Sequence, residues 1–310
     1  MGTKTGSRPV RRTRAAPRHP DPRGGRMLAL SAAVFTVLGA MAAVAFVASR
    51  SGDENGAKGM EPRARAYVGG DLHTLAVRPD AMYVGGHDGV AVSRDDGHSW
   101  EQIRSLGGVD AMGWAFTPRS ILVGGHGGLR RSIDGGRTFQ RMIGVPVGDV
   151  HGLGAAGRTV YLSSPEGGLL VSRDAGETWA RVSEEMGRAF MGTMLVDPAN
   201  PSHLLAPDMQ NGVVESTDGG RGWRPLGGPR GTMAIAWDER DHRRLLAIGM
   251  TGGARSSDAG RSWAGVDLPE SASAAAFDSA DPSRLYAAKL SKDRATVYFS
   301  TNDGRDWRPL

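Results

Sequence analysis

The sequence has no cysteine, so it contains neither disulfide bonds nor the lipid-modified cysteine of a lipoprotein. It also lacks a nucleophile elbow, a P-loop and a G-x-G-x-x-G phrase before a helix, and the glycine runs that it does have are typical of turns. Few segments show the apolar period of a helix, whereas glycine occurs 46 times in 310 residues. These features favour one all-β domain with an extension, and the missing cysteine does not argue against export.

The basic character of the chain is local. The net charge is +5, but residues 1–26 carry one lysine and seven arginines against a single aspartate. The other 284 residues hold 30 basic and 32 acidic side chains and are close to neutral. The basic segment is better explained by membrane topology than by nucleic-acid binding, and we expect no nucleic-acid partner.

A segment of 22 residues without a charge follows at positions 27–48. As a helix it would be about 33 Å long, which matches the hydrocarbon core of a bilayer. The sequence therefore predicts a basic cytoplasmic tail (1–26), a single-pass transmembrane signal anchor (27–48), a flexible linker (49–66) and an extracytoplasmic domain (67–310). The alternative is a cleaved signal peptide and a secreted domain.

An eight-residue phrase, S-x-D-x-G-x-x-W, recurs six times in this domain. Phe139 replaces the tryptophan in the second copy, and Asn302 replaces the aspartate in the sixth. The aspartate can accept backbone N–H bonds and the glycine can adopt a positive φ, so the phrase predicts a tight turn between two strands. A spacing of 39 to 44 residues indicates a repeated folding unit. The copies begin at Ser93, Ser132, Ser172, Ser216, Ser256 and Ser300.

This phrase resembles the Asp-box, or BNR repeat, of sialidases, sortilin-type receptors and photosystem II assembly-factor propellers. The resemblance implies an all-β, six-bladed β-propeller, in which the Asp-boxes lie on the face away from the ligand site. The stretches LHTLAV, DAMGWAF, GGHGG and DVHGLGA also look like those of bacterial exo-sialidase-like Asp-box proteins catalogued as glycosyl hydrolases. That second resemblance implies the same fold, and its enzyme name rests on the repeat.

Each repeat predicts an inner strand A, strands B and C, the Asp-box turn and an outer strand D. In blade 4 the predicted strand A is the segment FMGTMLV at 190–196. Because a blade buries its faces only against its neighbours, the ring must close, and we expect the segment around Tyr67 to join the last blade. The starts of the A strands and the B-to-C loops then share the face opposite the Asp-boxes.

Histidine and methionine recur at this opposite face. The aligned A strands place six residues at one position: His73, Met112, His151, Met191, Met233 and Ser273. Two residues earlier, and so on the same side of the strand, the first three blades carry Asp71, Asp110 and Asp149. The B-to-C loops add His87, His126, Met209 and Met250.

Two interpretations of these rings stay open. Thioethers with imidazoles suit Cu(I), and imidazoles with carboxylates suit Cu(II) or zinc, so the pattern predicts a metal site with copper as the first candidate. Its ligands would be drawn from His73, Met112, His151, His87, His126, Met191 and Met233. Duplicated blades also retain residues for packing, and methionine fills irregular space around a propeller axis.

An enzyme is the alternative to a binding module. Asp71, Asp110 and Asp149 could act as the carboxylates of a glycoside hydrolase. A sialidase would further need Tyr67 as nucleophile and an arginine clamp, for which Arg188, Arg230 and Arg294 are candidates, but its F/Y-R-I-P motif is missing. The sequence therefore predicts a membrane-anchored module that binds a protein, a glycan or a soft metal such as copper, with an exo-sialidase-like hydrolase as the alternative.

Overall fold

The computed structural model describes residues 1–2 and 65–310. Within this part the chain forms 26 β-strands and a single 3-10 turn, Arg104–Leu106. The predicted anchor at 27–48 lies outside the described residues. No helix in the described part has the length and apolar character needed to cross a membrane.

The strands form six sheets in chain order, and hairpins connect the strands within each sheet. Alternate side chains of a strand point to opposite faces, so each sheet presents apolar residues to both neighbouring blades. Blade 1 contains β2 (Leu72–Arg78), β3 (Ala81–Gly86), β4 (Gly89–Ser93) and β5 (Glu101–Gln102). Blade 2 contains β6 (Gly113–Phe116), β7 (Ile121–Gly125), β8 (Gly128–Ser132) and β9 (Gln140–Arg141). Blade 3 contains β10 (Gly152–Ala156), β11 (Thr159–Ser164), β12 (Gly168–Ser172) and β13 (Ala180–Ser183).

The second half of the ring has the same plan. Blade 4 contains β15 (Leu195–Val196), β16 (Leu204–Asp208), β17 (Gly212–Ser216) and β18 (Arg224–Gly227). Blade 5 contains β19 (Ala234–Asp238), β20 (Asp241–Gly249), β21 (Gly252–Ser256) and β22 (Ala264–Val266). Blade 6 contains β23 (Ala272–Phe277), β24 (Leu285–Ser291), β25 (Arg294–Ser300) and β26 (Arg308–Pro309).

The six blades close into a ring. The inner strands contact one another in the order β2, β6, β10, β15, β19 and β23, and β23 contacts β2 again. A separate cluster of buried apolar side chains lies at each of the six blade interfaces. The all-β, six-bladed propeller predicted from the repeat is therefore confirmed.

The N-terminal end of the domain closes the ring, as expected from the sequence. Strand β1 (Ala66–Tyr67) pairs antiparallel with the start of β25, and β26 pairs with the other end of β25. The outer position of blade 6 is thus shared by the two ends of the domain. This pairing protects the last blade from exposing an open strand edge.

The prediction of one inner strand in blade 4 is wrong. The segment 190–196 is divided into β14 (Gly192–Thr193) and β15. Strand β14 pairs parallel with β10 of blade 3, and only β15 pairs with β16. Gly192 has a φ of +68°, which favours glycine and ends the extended run that the apolar pattern suggested.

The Asp-box turns are closed by the same hydrogen bonds in every blade. In blade 3 the Ser172 hydroxyl donates to Asp174 Oδ1 (2.7 Å) and accepts from the Gly176 N–H (2.7 Å), while Asp174 accepts from the Thr178 N–H (2.9 Å). The positive φ expected at the glycine is present in all six copies, and the residue before it also has a positive φ, such as 66° at Ala175. These turns stand at the opposite end of the C strands from the B-to-C loops.

Candidate metal centre

Backbone contacts between blades bring the predicted site residues together. The Ala111 N–H donates to the Gly86 carbonyl (3.0 Å), and the Val150 N–H donates to the Gly125 carbonyl (3.2 Å). Each bond joins the B-to-C turn of one blade to the start of strand A in the next. Because of this, the turn that carries His87 lies beside Asp110, and the turn that carries His126 lies beside Asp149.

The glycines of the two Gly-Gly-His phrases allow this close approach. A Cβ atom at Gly86 would lie 1.9 Å from the Asp71 carbonyl oxygen, and one at Gly125 would lie 1.8 Å from the Asp110 carbonyl oxygen. Any other residue at either position would force the backbone apart. The glycine before each histidine thus positions the aspartate segment against the turn.

The first group consists of His73, His87 and Asp110. Asp110 Oδ1 lies 3.1 Å from His73 Nε2 and 4.0 Å from His87 Nδ1. One ligand atom from each residue lies within 4.8 Å of the other two. The Asp110 side chain is 5% exposed and that of His87 is 63% exposed, so the group is anchored inside the ring and opens to solvent at His87.

The second group consists of His126, Asp149 and His151. Asp149 Oδ2 lies 3.0 Å from His151 Nε2 and 3.6 Å from His126 Nε2. These atoms also lie within 4.8 Å of one another. His151 is buried, whereas His126 is 35% exposed and forms the outer side of the group.

His126 joins the two groups. Its Nδ1 atom lies 2.6 Å from Asp110 Oδ2, while its Nε2 atom faces Asp149. Four imidazole rings therefore follow one another across blades 1 to 3, with centroid distances of 6.5, 6.4 and 5.3 Å. Together the six side chains form what we call the His–Asp cluster: His73, His87, Asp110, His126, Asp149 and His151.

Six buried polar atoms of the His–Asp cluster lack an aligned hydrogen bond from the described part of the protein. Buried polar atoms nearly always bond the protein or an ordered water, so this concentration in one place indicates bound water or a ligand such as a metal ion. The contacts from Asp110 to His73 and His126 have hydrogen-bond lengths, but their angles are unsuitable. The atoms are His73 Nε2, Asp110 Oδ1, Asp110 Oδ2, His126 Nε2, Asp149 Oδ1 and His151 Nδ1.

Asp110 controls the charges of the cluster. Burial raises the pKa of its carboxyl, but the contacts with His126 and His73 outweigh burial and hold the pKa well below its usual range. Burial lowers the pKa of His73, yet the contact with Asp110 and the charge of Asp71 raise it overall. The contact with Asp110 also raises the pKa of His126, against the effect of burial. Asp110 is therefore an ionised carboxylate that can act as a ligand.

The other predicted residues lie outside the two groups. Asp71 accepts a hydrogen bond from the adjacent Leu72 N–H (3.0 Å). Met112 and Met191 are buried at 2% and 4% exposure, and Met233 lines a small cavity of about 20 Å³ together with His73. The backbone N–H groups of Met112, His151, Met191 and Met233 each bond the penultimate residue of strand B, which supports the alignment of the A strands.

Sequence reasoning missed a second group of histidines, at the A-to-B ends of blades 4 and 5, where His203 precedes β16 and His242 lies near the start of β20. His203 lies 3.3 Å from Asp197 Oδ2 and 2.9 Å from Glu215 Oε1, so both of its nitrogens have partners. His242 stacks on Trp237 with a centroid distance of 4.0 Å. For His203 the only signal was the turn sequence DPANPSH, which the repeat spacing assigned to a loop of blade 4.

Comparison with known proteins gives the fold. No protein-family model matches the chain, and no curated protein sequence matches it. A GH74 xyloglucanase from Xanthomonas campestris is 20% identical with a TM-score of 0.56, over 81% of this chain and 46% of the xyloglucanase. A GH74 enzyme from Niastella koreensis is 12% identical with a TM-score of 0.55, over 79% of this chain and 55% of the enzyme. YCF48 from Cyanidioschyzon merolae is 18% identical with a TM-score of 0.52, over 81% of this chain and 87% of YCF48.

The chain spans about half the length of the two GH74 enzymes. It is a six-bladed β-propeller that resembles GH74 xyloglucanase and YCF48, which are BNR-type propellers, at low identity. Likeness at this level concerns the fold, and function has to be argued from the site.

Proposed function

We propose that this protein is an extracytoplasmic metal-binding propeller, which holds a divalent transition-metal ion at the His–Asp cluster. The observation that carries the proposal is the arrangement of two groups, each with two imidazoles and one carboxylate whose ligand atoms lie within 4.8 Å of one another. The cluster stands at the face opposite the Asp-boxes. Attachment to a membrane through residues 27–48 is part of the proposal and rests on the sequence alone.

The spacing of the ligand atoms fits such an ion. Around a tetrahedral ion with bonds of about 2.0–2.1 Å, neighbouring ligand atoms are about 3.3 Å apart. The separations from Asp110 Oδ1 are 3.1 and 4.0 Å, and those from Asp149 Oδ2 are 3.0 and 3.6 Å. Small side-chain movements, chiefly of the exposed His87, would bring them to the bonded value.

The donor atoms indicate which ions to test first. Imidazole with carboxylate suits zinc and Cu(II), whereas Cu(I) prefers thiolate and thioether ligands. The two groups contain no sulfur. Zinc and Cu(II) are therefore favoured over the Cu(I) that the combination of thioethers and imidazoles suggested. Each group supplies three protein ligands and leaves a fourth position for water or an exogenous ligand.

The geometry favours this function over the sialidase-like hydrolase that the exo-sialidase-like resemblance suggests. A general acid needs a raised pKa, but the pKa of Asp110 is lowered by His126 and His73. The Tyr67 hydroxyl donates to Asp88 Oδ2 (3.0 Å), and this bond raises the pKa of the tyrosine. The Arg188 guanidinium donates to the Glu184 and Pro165 carbonyls, which holds it against its own loops.

The test is metal binding by the full-length chain after removal of metal with a chelator. Zinc and Cu(II) titrations should show tight stoichiometric binding by the wild type and its loss in the His73→Ala/His151→Ala double variant. His98→Ala is the matched control, because His98 is exposed and its ring hydrogen-bonds the Asp95 carbonyl of its own Asp-box turn, on the other face. No binding by the wild type, or equal binding by a folded double variant, would overturn the proposal.

A further inference from the structure

We infer that the His–Asp cluster holds two divalent metal ions, one in each group, and that Asp110 and His126 couple the two sites. The inference rests on the proposed function and extends it. It concerns how many ions bind and which residues separate them.

The His126 ring separates the cluster into two sites. Its two nitrogens point in different directions: Nδ1 lies 2.6 Å from Asp110 Oδ2, and Nε2 lies 3.6 Å from Asp149 Oδ2. An ion bound at Nε2 takes its other protein ligands from Asp149 and His151. Asp110 and the rest of the first group lie on the Nδ1 side of the imidazole, away from that ion. A single ion therefore satisfies one group and leaves the other without its ligand.

Both groups contain buried polar atoms without an aligned partner, and in the second group His151 Nε2 and Asp149 Oδ2 also hydrogen-bond each other (3.0 Å). In the first group, the unpartnered buried atoms include His73 Nε2 and Asp110 Oδ1. In the second group, they include His126 Nε2 and Asp149 Oδ1. The His126 and Asp149 side chains are 35% and 18% exposed, but the four atoms themselves are buried, so bulk water does not reach them. One bound ion would satisfy only half of these atoms, whereas two ions account for both groups.

Asp110 and His126 connect the two sites. An imidazole that binds a metal through one nitrogen commonly donates its other N–H to a carboxylate. With an ion at His126 Nε2, the Nδ1 atom faces Asp110 Oδ2 at 2.6 Å, and a small rotation of the imidazole would align its N–H with this carboxylate. Asp110 Oδ1 remains directed at His73 and His87, where it serves the first ion. Asp110 is thus a ligand of one ion and a positioning residue for the ligand of the other.

The stoichiometry of zinc binding tests the inference. The full-length wild type should bind two zinc ions by calorimetry, with elemental analysis of the isolated complex as a second readout. His87→Ala should bind one ion, because His87 belongs only to the first group. Asp149→Asn should also bind one ion, and this isosteric change avoids the cavity that His151→Ala would open in the buried site. His98→Ala should bind two.

The outcomes separate the two proposals. No zinc binding by the wild type would overturn the proposed function and the inference together. One zinc ion in the wild type, lost in both His87→Ala and Asp149→Asn, would keep the metal site but overturn the two-ion inference. Two ions in the wild type and in both variants would place the ions elsewhere and contradict both.

Binding of Co²⁺ adds a readout that a merely structural role for Asp110 would not change. With both sites loaded, Asp110→Asn should alter the visible absorption of both cobalt ions, because Asp110 contacts one ion and the imidazole of the other. An altered spectrum for only one ion would mean that Asp110 does not couple the sites.

Discussion

The two faces of the propeller differ in how closely the six blades repeat the same residues. At the Asp-box face, all six blades keep the same serine-centred turn with the same hydrogen bonds. At the opposite face, the imidazoles and carboxylates of the His–Asp cluster come from blades 1 to 3, while the aligned positions in blades 4 to 6 hold Met191, Met233 and Ser273. The residues that all six blades share form the turns that each blade needs for folding. The residues that differ between the two halves of the ring form the candidate site.

The Asp-box turns and the His–Asp cluster also differ in whether their side-chain polar atoms have hydrogen-bond partners. In the sixth Asp-box, Asn302 replaces the aspartate, and the turn still closes because Asn302 Oδ1 accepts from the Asp306 N–H (3.0 Å) while its amide donates to Asp306 Oδ2 (2.7 Å). The His–Asp cluster leaves six buried atoms without an aligned partner. The hydrogen bonds of the Asp-box turns are thus complete without a ligand, and those of the His–Asp cluster are not.

The largest effect is expected from Gly125→Ala, which should damage the metal face while leaving the Asp-boxes intact. The new Cβ would lie 1.8 Å from the Asp110 carbonyl oxygen, so the backbone must move. We expect the free energy of unfolding to fall by about 2–3 kcal/mol, together with loss of zinc binding. Urea unfolding and zinc titration measure both. Gly148→Ala, where a Cβ meets no atom within 4 Å, is the control; equal behaviour of the two variants would contradict the account.

A smaller effect on stability, and none on zinc, is expected at the other face. Ser172→Ala removes the acceptor of the Gly176 N–H and the donor to Asp174. Leaving a buried N–H without its partner should lower the free energy of unfolding by about 1–2 kcal/mol. Zinc affinity should equal that of the wild type. If zinc affinity fell together with stability, the two faces would not be independent.

Acid should destabilise the Asp-box face through its aspartates. Hydrogen bonds from Ser262 and Ser256 lower the pKa of Asp258 to about 2, and those from Ser99 and Ser93 lower the pKa of Asp95 to about 2. A lowered pKa in the folded state stabilises the fold above the unfolded pKa of about 3.9, and this stability is lost as pH falls towards 2. Asp258→Asn, which copies the natural Asn302, should make the dependence of stability on pH shallower by about one proton between pH 4 and 2. Urea midpoints across this range measure it, and an unchanged slope would argue against the role of the turn.

The smallest effect should come from the methionines of blades 4 and 5. Met191→Leu and Met233→Leu keep the side-chain volume and remove only the thioether, so zinc affinity should stay within about twofold of the wild type. Parallel titrations with zinc and Cu(I) measure this. A tenfold loss in either variant would bring the thioethers into the site and restore the soft-metal interpretation.

The fold could be predicted from the sequence because its signal is repeated. Six Asp-boxes at a spacing near forty residues define the blades, and strand alternation within each unit defines the sheets. The division of the blade 4 inner strand could not be predicted in this way. The apolar run 190–196 resembles a strand, and it is the position of β14 beside β10 of blade 3 that interrupts it.

The site could be predicted in part. Alignment of the repeats placed His73 and His151 at one level and Asp110 and Asp149 near them, and the Gly-Gly-His phrases added His87 and His126. The sequence did not distinguish Asp71, which bonds its neighbour's backbone, from Asp110, which lies among three imidazoles. That distinction depends on contacts between blades, which no pattern within a single repeat contains.

The most direct test of the central claim is anomalous diffraction from a crystal of the protein grown with zinc, measured at the zinc edge. We expect anomalous peaks within about 2.0–2.1 Å of the ligand atoms of the His–Asp cluster, at His73, His87 and Asp110 and at His126, Asp149 and His151. Peaks only elsewhere on the propeller, with neither group occupied, would contradict it.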